Sequence, residues 1–240
     1  MKKAILFIAG LFFALSASAQ QHSLLVGNGK KIKQSKEVGT FNAIAITGPF
    51  EVKLQESSSS EIFMEGSENI LSLIEITITD GKLNIRLPKS VKLQANKNNR
   101  VSIRVPYTAL NDIYLNGSGS VTSKDVFTNP VNVSVDGSGE INLKINTPQA
   151  KAVVLGTGSI KLRGDAATLI CNVSGSGEID ANKVKSDITE ALVSGSGNIN
   201  VCCIHTIKGR ISGSGNIAFA GNPEQQDLKR SGSGEFCMLD

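Results

Sequence analysis

Seven hydroxyls recur through the second half of the chain: Ser118, Ser138, Thr157, Ser176, Ser196, Ser214 and Ser233, each held between two glycines. A serine or threonine becomes a nucleophile only beside a base, and no base repeats next to these seven. They therefore read as turn residues, whose hydroxyls can bond local backbone or the next hydroxyl along. A second possible chemistry lies in paired carboxylates. Glu140 and Glu178 stand at the same offset two repeats apart, roughly 9–10 Å by strand spacing. That is close to the carboxyl separation of inverting glycoside hydrolases, about 6.5–9.5 Å. Asp180 lies two residues beyond Glu178. No aromatic sugar platform accompanies them, and the chain has no Trp, so cleavage of carbohydrate is the lesser alternative and no enzyme is expected. Metal chemistry is weaker still. His22 and His205 are the only histidines, and Cys171, Cys202, Cys203 and Cys237 match no zinc spacing. No cofactor or metal site is expected.

What positions these residues is a repeat. The glycine pairs are Gly117 and Gly119, Gly137 and Gly139, Gly156 and Gly158, Gly175 and Gly177, Gly195 and Gly197, Gly213 and Gly215, and Gly232 and Gly234. Successive motifs are 18 to 20 residues apart, which no flexible linker would maintain. Four residues after each first glycine sit Val121, Ile141, Ile160, Ile179, Ile199, Ile217 and Phe236. Two before it sit Leu115, Val135, Val154, Val173, Val193, Ile211 and Arg230. Apolar residues thus alternate with polar ones on both sides of the turn, the period of strands with one buried face. One such unit cannot bury its apolar face alone, and stacking the units about 4.8 Å apart makes continuous ladders. The expected fold is all-β: a right-handed parallel β-helix of about seven coils over 111–240. The glycines form its corners, where a Cβ would be disfavoured by backbone angle or by close approach of the next coil.

The same count sorts the outward positions. Thr122, Asn142, Lys161, Asp180 and Asn200 fall in one column, Glu140 and Glu178 in another, and Lys124, Lys144 and Arg163 in a short basic one. These columns are the candidate binding surface. Cys171 falls inward as a buried thiol. Cys202 and Cys237 fall in different outward columns, which disfavours a bridge between them without closing it.

The ends and the composition bound the remaining possibilities. Lys2 and Lys3, the apolar run Ala4 to Leu15 and the small residues Ala17-Ser18-Ala19 have the form of a secretory signal over 1–19, with the mature chain beginning at Gln20. Export to the periplasm or cell surface follows, and disulfides become possible. No later segment is long and apolar enough to span a membrane. Residues 20–110 carry 12 basic and 8 acidic side chains and residues 111–240 carry 11 and 13, so neither half has the basic excess of a nucleic-acid binder. Lys30, Lys31, Lys33 and Lys36 belong to an expected flexible leader over 20–36.

Residues 37–110 lack the repeat but are strand-rich, and are expected to cap the solenoid and to begin its first coils. Strands are expected over Phe41 to Ile46 and Phe50 to Leu54. Asp80-Gly81 should join Ile74–Thr79 to Lys82–Leu87 as a hairpin. Ser67 should cap one helical turn to Leu73. A last strand through Val101, Ile103 and Val105 is expected to stop before Pro106, with polar loops over Ser57–Ser60 and Lys89–Asn99.

Phe41-Asn42-Ala43-Ile44, Gly48-Pro49-Phe50-Glu51-Val52, Glu68-Asn69-Ile70-Leu71 and Asp80-Gly81-Lys82-Leu83, followed by stacked G-S-G-x-I units, together resemble the auto-transporter adhesin "head GIN" domain found in envelope proteins of Bacteroidetes. The resemblance covers about residues 38–238. It implies a parallel β-helix-like fold and an exported location, and it carries no catalytic residues. No autotransporter barrel or C-terminal sorting domain is recognisable. The expected function is a non-enzymatic binding or adhesion module for a glycan or an envelope protein. A structural scaffold is a further alternative; the last coil leaves an open edge, and a homodimer formed end to end or face to face is the expectation.

Overall fold

The computed structural model describes residues 23–93 and 99–239. In chain order the first elements are β1 Ser23–Leu25, β2 Lys31–Glu37, β3 Ala43–Thr47, β4 Glu51–Glu56, β5 Glu61–Ser67, the single-turn helix α1 Glu68–Leu71, β6 Glu75–Thr79, β7 Lys82–Arg86, β8 Val91–Leu93 and β9 Ser102–Tyr107. The repeat region follows as β10 Asp112–Gly117, β11 Ser120–Phe127, β12 Val131–Gly137, β13 Glu140–Gly156, β14 Ser159–Gly175, β15 Glu178–Gly195, β16 Asn198–Gly213, β17 Asn216–Ala220, β18 Gln225–Ser231 and β19 Phe236–Met238. Seventeen of the strands form one sheet that winds into a parallel β-solenoid. The expected signal segment 1–19 and His22 lie outside the described residues, as do residues 94–98 of the loop expected over Lys89–Asn99, whose first part holds β8 instead.

Each coil is made of two faces meeting at a Gly-Ser/Thr-Gly corner. One face stacks β4, β11 and the first halves of β13 to β16. The other stacks β3, β10, β12 and the second halves of the same long strands. The ladder does not break at the corner. The Thr157 backbone N–H donates to Gly137 O at 2.8 Å and the Ser159 N–H to Gly139 O at 2.9 Å. The two glycines of a corner differ in backbone angle. Gly175 has φ +116°, a conformation that L side chains rarely adopt. Gly177 has no such angle, but a Cβ there would fall 2.4 Å from Val154 Cγ1 and 2.6 Å from Gly158 O. Both expected reasons for glycine hold: close approach of the next coil applies at both positions, since a Cβ on Gly175 would also fall 2.6 Å from Gly156 O, and the backbone angle applies at the first.

The expected inward columns are the core. Val121, Ile141, Ile160, Ile179, Ile199 and Ile217 are fully buried, and Leu115 through Ile211 line the other wall. Burying each Ile side chain contributes roughly 1.5–3 kcal/mol relative to exposure, so this ladder is a principal source of cohesion between coils. Ala152, Cys171, Ala191 and Gly209 are successive partners in a third ladder of small residues. The columns fray in the last coil, where Arg230 and Met238 are exposed and Leu228 and Phe236 are half-buried.

The N-terminal segment is nested into the solenoid. β3 pairs with β7 on one side and β10 on the other; β4 pairs in the same way with β9 and β11. The first coil of the chain is therefore the second in space, lying between β7/β9 and β10/β11. Its corner is Gly48-Pro49-Phe50, with Gly48 at φ +132°, and Ser120 N–H donates to Phe50 O at 2.8 Å as in the regular corners. The end is closed by antiparallel strands, β6 on β7 through the Asp80-Gly81 turn and β5 on β9 with β2 beyond it. Asp80 and Gly81 have φ 51° and 71°, as a two-residue I′ hairpin requires.

Three expectations are corrected. From Ser23 onward the supposed flexible leader is ordered: β1 pairs with β8, and β2 covers the open edge of β5 and places Ile32 against the core. The helical turn forms at α1 with Ser67 at the N-cap position, as expected, but the Ser67 side chain makes no cap bond; the Glu68 N–H donates instead to Lys30 O at 2.9 Å. β9 continues through Pro106, which occupies a ladder position opposite Gln55.

Candidate functional site

The residues of the expected polar column lie on the first face, the one that stacks β4, β11 and the first halves of β13 to β16. Thr122, Asn142, Lys161, Asp180 and Asn200 are consecutive cross-strand partners. In space the column is longer than the repeat region. Beyond Thr122 it runs through Lys53, Arg104, Phe63 and Ser35, and beyond Asn200 through Ala218 and Cys237. Eleven aligned strands at about 4.8 Å give a strip roughly 50 Å long.

Beside it runs the column holding Glu51, Ser120, Glu140, Ser159, Glu178, Asn198 and Asn216. Its acids are engaged by neighbours. Lys161 Nζ donates to Glu140 Oε1 at 3.1 Å, and Asn200 Nδ2 donates to Glu178 Oε1 at 3.3 Å. Arg100 lies 3.4 Å from Glu51. Glu140 and Glu178 thus form parts of a tethered polar lattice.

The basic column differs from its expected membership. A β-bulge between Thr122 and Val126 puts Val126, not Lys124, opposite Lys144. A second irregularity between Lys161 and Arg163 brings Lys183 opposite Arg163. The row is Lys144, Arg163 and Lys183, all exposed, and none of the three has an ion-pair partner among the described residues.

At the N-terminal end of the face the strip opens into a pocket of about 540 Å³ lined by Lys33, Gln34, Ser35, Lys53, Phe63, Met64, Glu65, Ser102 and Arg104. Antiparallel pairing of β5 on β9 places Phe63 opposite Arg104, and parallel pairing of β9 on β4 places Arg104 opposite Lys53. Phe63 is 45% exposed. Lys33 is 3.9 Å from Glu65, whereas Lys53 and Arg104 have no carboxylate at ion-pair distance among the described residues. Like charges directly opposite each other destabilise a strand pair. On the other face, cations of the last coils are matched: Lys208 to Glu190 at 3.1 Å, and Arg210 to Asp227. The Arg210 guanidinium hydrogen bond holds the Asp227 carboxyl below its ordinary range.

The corner hydroxyls take no part in a catalytic arrangement. Ser118, Ser138, Thr157, Ser176, Ser196, Ser214 and Ser233 are exposed, and the expected bonds from their hydroxyls are not formed among the described residues; the backbone N–H groups of Ser138, Thr157, Ser176, Ser196 and Ser214 donate to the preceding coil instead. All four cysteines are free. Cys171 is fully buried, and burial pushes its thiol up to about 12. Cys203 is also buried, its Sγ donating to Thr206 O at 3.1 Å, while Cys202 is half-buried and Cys237 exposed. No group of three or more His, Cys, Asp or Glu able to hold a metal occurs among the described residues. No helix among them is long and apolar enough to cross a membrane.

Fold and face together define a repeat-built β-solenoid with one long polar strip. The family model described as "Putative auto-transporter adhesin, head GIN domain" matches residues 40–223, and the chain belongs to that family. Solved structures share the fold. A protein of Bacteroides fragilis described as a putative adhesin aligns with TM-score 0.82 and 24% identity, covering 88% of this chain and 97% of its own. One of Parabacteroides distasonis described as a putative lipid binding protein aligns with TM-score 0.74 and 22% identity, covering 91% and 100%. A putative adhesin of Parabacteroides merdae aligns with TM-score 0.68 and 21% identity, covering 92% and 100%. No curated protein matches.

Proposed function

We propose that the chain is an exported, non-catalytic recognition module of the adhesin type that engages an extended ligand, a glycan or an envelope protein, along its first face. The observation that carries this is the unbroken outward column from Ser35 to Cys237, kept in register across eleven strands. Stacked repeats use extended surfaces of this kind for elongated partners. Membership of the head GIN family supports the adhesin class and an envelope or exported setting. The tethered Glu140 and Glu178 weigh against hydrolysis, because neither is poised beside the other across a cleft. A glycan array and a whole-cell pull-down test the proposal with the chain and with Thr122→Ala/Asn142→Ala/Asn200→Ala. Signal that is lost in the triple variant is expected. Background-level signal from the unaltered chain in both assays would overturn it.

A further inference from the structure

Two features of the first face are unaccounted for by packing. Lys53 and Arg104 are directly opposed like charges without a carboxylate partner among the described residues, an arrangement that costs stability in a sheet. Beside them Phe63 presents an exposed ring to the same pocket of about 540 Å³. Two to four strands further along, Lys144, Arg163 and Lys183 form a second row of opposed cations.

An anion bound between Lys53 and Arg104 would relieve their repulsion, and Arg offers the planar donor fork that matches a carboxylate or sulfate. Phe63 supplies an apolar surface for the body carrying that charge. An acyl chain does not suit the pocket, since Phe63 is its one exposed large apolar side chain and lipid tails need predominantly apolar walls. A nucleic acid does not suit the face either, because base stacking needs several aromatic platforms. We propose that the pocket takes an acidic sugar of an anionic glycan, its carboxylate or sulfate between Lys53 and Arg104 and its ring on Phe63, with the glycan continuing toward Lys144, Arg163 and Lys183. This rests on the recognition reading above and names its ligand class.

Calorimetric titration of the full chain with an oligogalacturonate, a heparin-derived oligosaccharide and a maltooligosaccharide of equal length tests it. At least one acidic probe should bind, the two arms separating carboxylate from sulfate, and the neutral probe should be weaker by about tenfold or more, the loss of one charge-assisted hydrogen bond. Arg104→Gln and Lys53→Gln should each weaken the acidic probe by about tenfold and flatten its salt dependence. Phe63→Ala should weaken it with the salt dependence unchanged. Lys53→Gln should also raise the unfolding midpoint of the free protein. The proposal is overturned if neutral and acidic probes bind equally, if a single-stranded oligonucleotide binds as tightly, or if Arg104→Gln has no effect. Binding of the neutral probe that is lost in the Thr122→Ala/Asn142→Ala/Asn200→Ala variant but indifferent to Arg104→Gln would overturn it and leave the recognition reading standing. Failure of every probe together with a silent glycan array and pull-down would remove both.

Discussion

Three alanine substitutions separate what the corner glycines do. At Gly117, φ is +110° but the nearest atom to a new Cβ is Gly48 N at 3.5 Å, ordinary contact. Gly117→Ala therefore tests backbone conformation alone, about 1–3 kcal/mol. At Gly177 the backbone angle is unexceptional, but a Cβ would meet Val154 Cγ1 at 2.4 Å and Gly158 O at 2.6 Å. The carbonyl belongs to the ladder and cannot retreat without parting two coils, so Gly177→Ala tests close approach alone, about 1–3 kcal/mol as overpacking. Gly175 combines φ +116° with Gly156 O at 2.6 Å from a Cβ, and Gly175→Ala should exceed either single effect. Ser176→Ala, at an exposed hydroxyl between those two glycines, should stay within about 0.5 kcal/mol. Urea unfolding followed by circular dichroism reads all four. In a domain of this size a loss of about 2 kcal/mol lowers Tm by roughly 4–8 °C. A fall in m alongside the midpoint would show coils detaching separately. A Gly177→Ala protein as stable as the parent would refute the claim that the stack depends on the missing Cβ.

The cysteines should fall into distinct classes toward a thiol reagent in the native protein: Cys237 reacts at once, and Cys171 only on unfolding, as mass spectrometry of timed samples can show; rapid labelling of Cys171 would contradict its burial. Burial, reinforced by Asp125 and Glu56, pushes the Tyr107 phenol up to about 12 from an ordinary 10.0. Because the folded state holds this proton more tightly, the stability it confers is full below pH 10 and is lost as pH rises toward 12, so the urea midpoint should fall across that window; Tyr107→Phe should remove this part of the decline. No strand pairs with the outer edges of β18 and β19 among the described residues, and Met238 beside that edge is 59% exposed. Open edges of this kind recruit another chain, so light scattering should give a dimer that Met238→Lys converts to monomer; a monomeric parent at high concentration would refute this.

The repeat region was legible because its information is local and periodic. The offset of Ile141 from Gly137 is also that of Ile160 from Gly156, and one count located the core, Cys171 and the Thr122–Asn200 column. Where a coil gains or loses a residue between corners, counting fails. The bulges after Thr122 and Lys161 replaced Lys124 with Lys183 in the basic row for that reason. The pocket was illegible for a different reason. Lys53 and Phe63 lie on the successive strands β4 and β5, which do not pair with each other, and Arg104 lies far along the chain; the three meet because β5 turns antiparallel onto β9 while β4 lies on the other side of β9. No periodicity encodes that crossing. Gly48-Pro49-Phe50 could have been recognised as an altered corner, since Gly48 keeps the glycine angle and Val52 keeps the inward position four residues on.

The nesting of β3 and β4 also orders assembly in time. These strands leave the ribosome before either of their neighbours, yet both neighbours form on them: β7 and β9 on one side, β10 and β11 on the other. A solenoid can start anywhere and spread, and here the earliest coil offers two edges on which neighbours can form. One front ends on the antiparallel strands β5, β2 and β6. The other advances one corner at a time toward β19. A variant that disables the seed, such as Ile44→Asp or Val52→Asp, would thereby impair both directions, whereas damage near Gly232 would cost only the last coil.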